Sequence, residues 1–377
     1  MKIALLSYST KPRGGVVHTL ALAEALAALG EDVTVWTLGR GGDQGFFRPV
    51  DARVRLRIVP FPDGPAGEPT GARILRSIAT LRAAFDPAPY DVVHAQDCIS
   101  ANAVHGRCVR TVHHIDHFTT PELAACHERA IVEPHAHICV SASVAAELSA
   151  GWGIGATVIP NGVAYDRFAT AARDVEGTAN WRRRLGRYVL TVGGIEPRKG
   201  SLDLLEAYAL LRARHPDVRL VIAGGETLFD YRDYRARWET RAAELGVEPV
   251  VLGPVPDPDL PTLVAAADAF AFPSLKEGFG LAAMEALAAG VPLVVRDLPV
   301  LREVFDGAAR FAGTAGELAE ELGRALTDAE GAARRESGRR LAARHTWEAA
   351  ARGHVDFYRA EEERRPEEKW RWKEETH

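Results

Sequence analysis

Cysteines are few in this sequence, and a long apolar run is missing. The 377 residues include four cysteines, none of them in a CxxC pair: Cys98, Cys108, Cys126 and Cys139. We therefore expect reduced thiols in the core, and neither a disulfide framework nor a structural zinc site. The longest apolar stretch, at residues 281–295, is interrupted by Glu285, Gly290 and Pro292, so no membrane span is predicted.

Basic residues do not outnumber acidic ones. The sequence has 46 Lys and Arg residues against 51 Asp and Glu residues, which gives a formal net charge of −5. Polyanions attract proteins with a basic surplus, so nucleic acid is not expected as a partner. The first residues, MKIALLSYSTKPRGG, lack the apolar region and the cleavage site of a signal peptide, and we expect a cytoplasmic location.

Two common nucleotide-binding motifs are also missing. The first loop, PRGGVVH at residues 12–18, does not have the GxGxxG pattern, and the strand predicted after it ends without an acidic residue for a ribose. In GGIEPRKGS, residues 193–201, Lys199 precedes the last glycine, unlike the lysine of a P-loop. A nicotinamide dehydrogenase and a P-loop NTPase are therefore both disfavoured.

Apolar runs of strand length alternate with helical or loop segments along most of the chain. The first series predicts strands at residues 2–8, 33–38, 54–59, 92–95, 109–113 and 138–140, with a helix at 16–29. The second series predicts strands at 188–192, 219–223, 250–252, 269–272 and 292–295, and helices at 202–214, 260–267 and 280–289. This α/β pattern is typical of doubly wound parallel sheets with helices on both faces.

The length of the chain is too great for one hydrophobic core. Residues 160–185 are charged and rich in small side chains, and the boundary between two domains is predicted there. We expect an N-terminal Rossmann-like domain at residues 1–165, a C-terminal Rossmann-like domain at 185–345, and a helical segment at 346–377 that crosses back to the first domain. Open α/β sheets bind ligands at the carboxyl ends of their strands, so a central cleft faced by both domains is predicted to hold the site.

Two loops between a predicted strand and a predicted helix carry residues suited to phosphate. Gly14 and Gly15 lie near a helix N-terminus, where free amides attract anions, but a tight turn explains these glycines equally well. Arg198 and Lys199 follow a strand of the second series and could neutralise a diphosphate, Arg by paired hydrogen bonds and Lys as a point charge. The alternative is a basic loop that contacts only solvent.

The segment PSLKEGFGLAAMEALAAGVPLVV is the most informative. Glu277 lies in a loop, Gly278 and Gly280 bracket Phe279, and the helix that follows carries Glu285. The helix N-terminus offers bare amides to an anion, while the two carboxylates can accept hydrogen bonds from sugar and ribose hydroxyls. The alternative, a carboxylate buried among apolar side chains without a ligand, costs free energy. This segment is therefore predicted to bind phosphate and sugar together.

EGFG followed by AAMEA, with Glu277 and Glu285 eight residues apart, resembles the E-x7-E segment of the family 4 retaining glycosyltransferases of the GT-B fold. The resemblance extends over nearly the whole chain, through the GG loop, TVHH at 111–114, IPNGV at 159–163, EPRKG at 196–200, VLGPV at 251–255 and AADAFAFPS at 266–274. It implies that Glu277 holds the hydroxyls of the donor sugar, Glu285 the ribose of the nucleotide, and the backbone from Gly278 to Leu281 the sugar and phosphates.

The resemblance also implies roles for the phosphate loops and for the first domain. Lys199 would neutralise the diphosphate, Gly15 would approach it, and His113 would contact the sugar near the reacting centre. One departure stands at Gly194, where many members have arginine. We expect Arg198 to cover part of that phosphate role.

The function that the resemblance implies is transfer of a hexose-type sugar from a nucleotide diphosphate sugar to an acceptor hydroxyl, with retention of the anomeric configuration. No cofactor and no metal ion are expected. The acceptor, a small molecule, a glycan or a lipid, is not specified by these motifs. The alternatives are a protein that binds nucleotide sugars without catalysis, and a sugar epimerase or phosphorylase on the same fold.

Three other features have simpler interpretations than a function. HHIDH, residues 113–117, has a spacing that can hold a metal ion, but the sequence offers no second cluster to complete the site. Asp257 and Asp259 match the DxD metal motif of another glycosyltransferase fold, and we interpret them as caps of the helix that follows. The helix predicted at residues 70–85 has arginines outside an apolar face, and core packing is favoured over contact with a membrane surface. The residues predicted on that face are Ile74, Leu75, Ile78, Leu81 and Phe85.

Overall fold

The structure is a computed structural model, and it describes residues 1–104, 108–116, 118, 120–225, 231–327 and 331–364. Contacts within the chain divide it into two compact units. The first unit consists of Met1–Gly162 and the C-terminal stretch that begins at Trp347, and the second unit is Val163–Thr346.

Within its described residues, the first unit contains a parallel sheet of seven strands in the order β3-β2-β1-β4-β5-β6-β7. The strands are β1 (Lys2–Leu6), β2 (Asp32–Arg40), β3 (Arg55–Phe61), β4 (Val92–Ala95), β5 (Val109–Val112), β6 (Ala136–Cys139) and β7 (Thr157–Val158). The helices between them are α1 (Gly14–Ala28), α2 (Thr70–Ala84), α3 (Cys98–Ala103), α4 (Pro121–Val132) and α5 (Ala142–Trp152).

The described residues of the second unit form a parallel sheet of six strands in the order β10-β9-β8-β11-β12-β13. The strands are β8 (Arg187–Val192), β9 (Val218–Ala223), β10 (Val250–Gly253), β11 (Ala269–Phe272), β12 (Leu293–Arg296) and β13 (Arg310–Ala312). The helices are α6 (Tyr165–Ala171), α7 (Val175–Leu185), α8 (Ser201–Arg214), α9 (Arg232–Glu244), α10 (Leu260–Ala265), α11 (Leu281–Ala288), α12 (Pro299–Phe305), α13 (Ala315–Thr327) and α14 (Gly331–Arg344).

The last helix, α15 (Trp347–Arg364), belongs to the first unit, where it packs against α1. Ala350, Ala351 and Val355 of α15 join the core that covers one face of β1 and β2. The sequence predicted that a helical segment at residues 346–377 crosses back to the first domain. Residues 365–377 of that segment lie outside the described residues.

The central strands of each sheet are buried on both faces, which explains why their sequences are nearly continuous apolar runs. The central strands β4 and β11 are buried at every position, and their bounds agree with the predicted strands residue for residue. In the first unit, separate clusters cover the two faces of β1, one containing Ile3 and Leu5 and the other Ala4 and Leu6. The predicted α/β architecture of two Rossmann-like units is confirmed.

Helix α2 packs into the first unit through Ile74, Ile78 and Leu81, which are buried. Leu75, which the sequence pattern placed on the same apolar face, is 43% exposed because it lies beside that face rather than on it. Among the helices that the structure describes, none is both long enough and apolar enough to cross a membrane. The four cysteines are free thiols, as predicted, with Cys98 half-buried and the others buried.

Candidate functional site

The strand order of the second unit creates a switch point between β8 and β11, because the chain winds away from these neighbours in opposite directions. Their carboxyl ends lie at the same edge of the sheet, and ligands of open α/β sheets bind in the crevice that such a pair leaves. The loop 193–200 follows β8, and the loop 273–280 follows β11. The two most informative motifs of the sequence are therefore brought together here.

Three charged side chains from these loops lie in contact. Lys199 Nζ donates a hydrogen bond of 2.8 Å to Glu277 Oε2. Arg198 Nη1 lies 3.6 Å from the same carboxylate oxygen and donates a hydrogen bond of 3.3 Å to the Lys276 carbonyl oxygen. The Leu275 amide in turn donates to the Arg198 carbonyl oxygen at 2.8 Å. Arg198 Nη2 also lies 3.8 Å from Glu196 Oε1, so two cations and two carboxylates meet at the switch point.

The pocket at this edge is lined by Gly193, Gly194, Lys199, Phe272 and Ser274, among others. The Lys199 ammonium lies 5.1 Å from the centroid of the Phe272 ring, where the π face favours a cation. Gly193 has φ +148°, and a Cβ there would lie 3.7 Å from the Lys199 side chain. That distance is an ordinary contact, so it is the positive φ rather than lack of space that favours glycine here.

Ser274 is a residue that the sequence analysis did not single out. It comes two residues after β11 and is 1% exposed, and its Oγ has no hydrogen-bond partner among the described groups. A buried hydroxyl without a partner costs about 1–3 kcal/mol. Its place in the pocket makes it a candidate to bond a ligand. The only sequence signal was its position at the carboxyl end of an apolar run.

The N-terminus of α11 lies at the same edge. Gly280, its N-cap, has φ +98°, and a Cβ there would lie 3.0 Å from the Phe305 ring and 3.3 Å from the Phe272 ring. No side chain caps this helix among the residues that the structure describes, so its first amides can bind an anion. Phe279 is buried, with its ring centroid 5.6 Å from that of His345, so only its backbone is available to a ligand.

Glu285 lies on α11, one residue after Met284, which is fully buried. Burial raises the pKa of its carboxyl group to about 7, an effect that nearby Arg167 opposes and Asp257 reinforces. Within the described part of the chain, Glu285 forms no hydrogen bond and no ion pair. An acceptor group that is desolvated without a partner is suited to bind hydroxyl donors of a ligand.

The interpretation of Asp257 and Asp259 as helix caps is correct for the position of Asp259 and wrong for the capping hydrogen bond and for Asp257. Asp259 occupies the N-cap of α10 with φ −87° and ψ −20°, a helical conformation, and its side chain accepts no capping hydrogen bond. Asp257 instead forms an ion pair of 2.9 Å with Arg167 from α6. The sequence could not predict this, because the two residues are 90 positions apart. Arg167 is thereby a further candidate near Glu285.

The first unit brings Gly15 and His113 together at the carboxyl edge of its own sheet. A Cβ at Gly15 would lie 3.8 Å from His113 Cδ2 and Nε2. His113 Nε2 is buried and has no hydrogen-bond partner among the described groups. Burial, together with neighbouring His18, holds the pKa of His113 well below its usual value, so the ring is neutral at physiological pH.

The metal hypothesis for HHIDH involves His117, which lies outside the described residues. His114 Nε2 lies 3.2 Å from Asp116 Oδ2. Groups of three or more His, Cys, Asp or Glu side chains that could hold a metal ion do not occur in the described part of the chain.

Two family models match the chain in succession. A model described as Glycosyltransferase Family 4 matches residues 12–167, and one described as Glycosyl transferases group 1 matches residues 181–341. The chain is 30% identical over 350 residues to D-inositol 3-phosphate glycosyltransferase of Corynebacterium aurimucosum, covering 80% of this chain and 81% of that protein. It is also 30% identical over 340 residues to phosphatidyl-myo-inositol mannosyltransferase of Mycobacterium tuberculosis, covering 81% of this chain and 80% of that protein.

Solved structures share the fold. Anabaena Alr3699/HepE in complex with UDP-glucose has a TM-score of 0.75 and 20% identity, over 96% of this chain and all of that one. WaaG, a glycosyltransferase involved in lipopolysaccharide biosynthesis, has a TM-score of 0.73 and 19% identity, over 94% of this chain and 99% of that one. The two Rossmann-like units are therefore those of the GT-B fold.

Proposed function

We propose that this chain, which belongs to the family 4 glycosyltransferases, transfers a hexose from a nucleotide diphosphate sugar to an acceptor hydroxyl, with retention and without a metal ion. The observation that carries the proposal is the meeting of Lys199, Arg198 and Glu277 beside the uncapped N-terminus of α11. These groups supply cations, bare amides and a carboxylate within one edge of one sheet. A sugar nucleotide presents the matching groups, namely a diphosphate and hydroxyls.

The diphosphate is the part of the donor that Lys199 and Arg198 would bind. Arg198 can form paired hydrogen bonds with phosphate oxygens, and Lys199 supplies a compact charge. The amides of Gly280 and Leu281 add the positive end of the α11 dipole. Gly194 stands where many members of the family have arginine, and Arg198 takes over part of that role. Lys199, Arg198 and the helix N-terminus would together oppose the charge of the diphosphate, so the proposal includes no divalent ion.

The hexose would be held by Glu277 and by the backbone from Gly278 to Phe279. The Glu277 carboxylate keeps acceptor capacity beyond its bond to Lys199, and hydroxyl groups are the donors that fit it. Glu285 would accept from the ribose hydroxyls, which explains a desolvated carboxylate without a partner in the fold.

Transfer would proceed by loss of the diphosphate. The bond between the sugar C1 and the phosphate oxygen breaks, and Lys199 and Arg198 stabilise the charge that develops on the leaving group. The acceptor oxygen forms the new bond to C1 on the same face, and its proton passes to the departing phosphate oxygen. His113 would contact the sugar as a neutral ring, and the lack of a side chain at Gly15 leaves room near it.

The test is a ligand panel followed by a product assay. Thermal shifts with UDP, GDP, ADP and TDP and their common sugars, with and without EDTA, identify the nucleotide, because a ligand that binds the native state raises the melting temperature. NMR of the product then reports the anomeric configuration. Retention and activity in EDTA are expected. An inverted product, or activity lost in EDTA and restored by magnesium, would refute the corresponding part of the proposal. Donor binding without turnover would favour a non-catalytic binding protein.

A further inference from the structure

We propose that the first unit binds the phosphate group of an anionic acceptor through Arg13, Arg40 and Gln96. This inference rests on the proposed function, since the acceptor meant is that of the sugar transfer. The three residues lie at the carboxyl edge of the sheet, where the strand order switches between β1 and β4. No part of the second unit is needed to form the subsite.

The topology fixes the place of each residue. Gln96 directly follows β4. Its backbone N–H donates a hydrogen bond of 2.9 Å to the Leu6 carbonyl oxygen, which holds Gln96 beside the end of β1. Arg13 is the N-cap of α1, the helix that follows β1. Arg40 is the last residue of β2, the other neighbour of β1. Each of the three residues therefore lies at or after the carboxyl end of one of three neighbouring parallel strands. Open α/β folds bind ligands at this edge of the sheet.

Gln96 is the observation that points to a ligand. Its side chain is 1% exposed, yet neither Oε1 nor Nε2 has a hydrogen-bond partner among the described groups. A buried amide has two donors and an acceptor to satisfy, and each one left without a partner destabilises the fold. An apolar residue of similar size would cost nothing. A phosphomonoester, which has oxygen acceptors and at neutral pH a hydroxyl proton for part of the time, satisfies both ends of the amide.

The two arginines supply positive charge that no ion pair engages in the described part of the chain. Arg40 donates to the Tyr8 carbonyl oxygen at 3.0 Å and to Ser77 Oγ at 2.9 Å, both uncharged. Burial, with smaller contributions from Arg73 and Arg13, lowers the pKa of Arg40 to about 10, although Tyr8 and Asp97 oppose the shift. Arg13 Nε is buried and has no hydrogen-bond partner in the described part of the chain.

Of the nearby carboxylates, Glu68 is engaged elsewhere, and Asp97 interacts with Arg40 through its charge but forms no ion pair with it among the described residues. Asp97 accepts the Ser100 amide at 2.8 Å as the N-cap of α3, and burial raises its pKa. Glu68 forms hydrogen bonds of 2.7 and 2.9 Å with the guanidinium of Arg76. Among the described residues, neither Arg13 nor Arg40 has an acidic side chain within ion-pair distance. Two guanidinium groups and an amide are a donor set for a group with several anionic oxygens, which favours phosphate over a neutral hydroxyl.

The experiment is isothermal titration of the full chain with glycerol 3-phosphate as the probe, and with glycerol as its uncharged counterpart. We expect saturable binding of glycerol 3-phosphate alone, weakened at least tenfold in Arg13→Gln, Arg40→Gln and Gln96→Met. Gln96→Met removes only groups that have no partner among the described residues, so its melting temperature should not fall. This variant keeps the test valid if Arg40→Gln is unstable. Arg57→Gln, which removes an exposed charge from β3 of the same unit, is the matched control.

Titration with the nucleotide found in the donor panel separates this inference from the proposed function. Normal nucleotide binding in all three variants, with glycerol 3-phosphate binding lost, supports the subsite. Wild-type chain that binds the nucleotide but not glycerol 3-phosphate overturns the subsite and leaves the transferase proposal intact. Loss of nucleotide binding in Arg13→Gln and Arg40→Gln would mean that the arginines serve the donor, which also overturns it. A chain that binds no nucleotide at all contradicts the proposed function itself.

A free phosphate ester and a lipid head group share this chemistry, and a second arm distinguishes them. Cosedimentation with phosphatidylglycerol vesicles, compared with phosphatidylcholine vesicles, reports a head group. Binding to the anionic vesicles that Gln96→Met abolishes supports a lipid acceptor, whereas binding of glycerol 3-phosphate without vesicle binding supports a free one. If Gln96→Met changes neither, the subsite does not exist.

Discussion

The Lys199 ammonium donates a hydrogen bond of 2.8 Å to the Glu277 carboxylate across 78 positions of sequence. This bond joins the loop after β8 to the loop after β11 at the switch point of the second sheet. The positive charge of Lys199 and the negative charge of Glu277 balance each other. In the proposed complex, the donor would add hydroxyl contacts to Glu277 and phosphate contacts to Lys199, while the hydrogen bond between the two side chains remains.

Replacement of Glu277 by alanine is expected to reduce transfer at least 100-fold, or about 2.7 kcal/mol of transition-state stabilisation. The change removes the acceptor for the sugar hydroxyls and leaves Lys199 and Arg198 without their shared carboxylate. Nucleotide binding should change much less, because the sugar, not the nucleotide, loses its contact. The measurement is kcat/KM beside the nucleotide Kd. Glu248→Ala, at an exposed carboxylate of the same unit, is the control, and equal rates in the two variants would remove Glu277 from the site.

Replacement of Glu285 by glutamine is expected to weaken nucleotide binding rather than the chemical step. The amide keeps the size of the side chain but offers one acceptor oxygen in place of two. We expect a tenfold or greater rise in the nucleotide Kd with kcat nearly unchanged at saturating donor. Calorimetric titration of wild type and variant with the preferred nucleoside diphosphate measures this. A lower kcat at unchanged Kd would place Glu285 at the reacting centre instead.

Glu285 should also make the second unit less stable as the pH rises. Its pKa is raised from 4.5 to about 7 in the folded chain, so the stability it contributes is fully present below pH 4.5 and is lost as the pH rises through 7. The loss amounts to as much as about 3 kcal/mol at 1.36 kcal/mol per pKa unit. Glu285→Gln should therefore match wild type near pH 4.5 and melt at a higher temperature at pH 8. Equal melting temperatures at pH 8 would show that the carboxylate is solvated.

Much of the fold could be predicted because parallel strands buried on both faces are continuous apolar runs. The short edge strands β7 and β13 could not, since Thr157 and Val158 are exposed and two or three residues carry no periodicity. The helices α6 and α7 were not predicted either, because their segment has too few apolar residues for a clear pattern. The site motifs were visible in their loops, but the partners Arg167 and Asp257 were not, because only the tertiary fold brings them together.

Gly280→Ala is expected to destabilise the second unit and to weaken nucleotide binding together. A residue with a Cβ is strained at φ +98°, and the Cβ would lie 3.0 Å from the Phe305 ring. The cost should be about 1–3 kcal/mol, and the amides of α11 would shift with the helix start. The measurements are melting temperature and nucleotide Kd. Gly14→Ala is the control, because nothing lies within 4 Å of a Cβ there. An unchanged melting temperature for Gly280→Ala would contradict the strain.

Four histidines form a buried cluster in the first unit. The pH dependence of the stability that they contribute is opposite to that of Glu285. The ring of His18 lies 4.7 Å from His113 and 6.3 Å from His354, and His94 lies 5.7 Å from His354, between ring centroids. Burial lowers the pKa of His18 to about 3 and that of His354 to about 4, and it holds the pKa values of His94 and His113 well below the usual value.

The first unit should therefore lose stability in acid, before the second unit does. Histidines with lowered pKa values contribute stability that is fully present above pH 6.5 and is lost as the pH falls from there towards 4, by as much as about 1.4 kcal/mol per pH unit for each group. Hydrogen exchange read by mass spectrometry, in peptides that contain β5 or β11, follows the two units separately. His354→Met should make the acid loss of protection in β5 shallower, whereas His215→Gln in the second unit should not. If β11 loses protection first as the pH falls, the histidine cluster is not what limits acid stability.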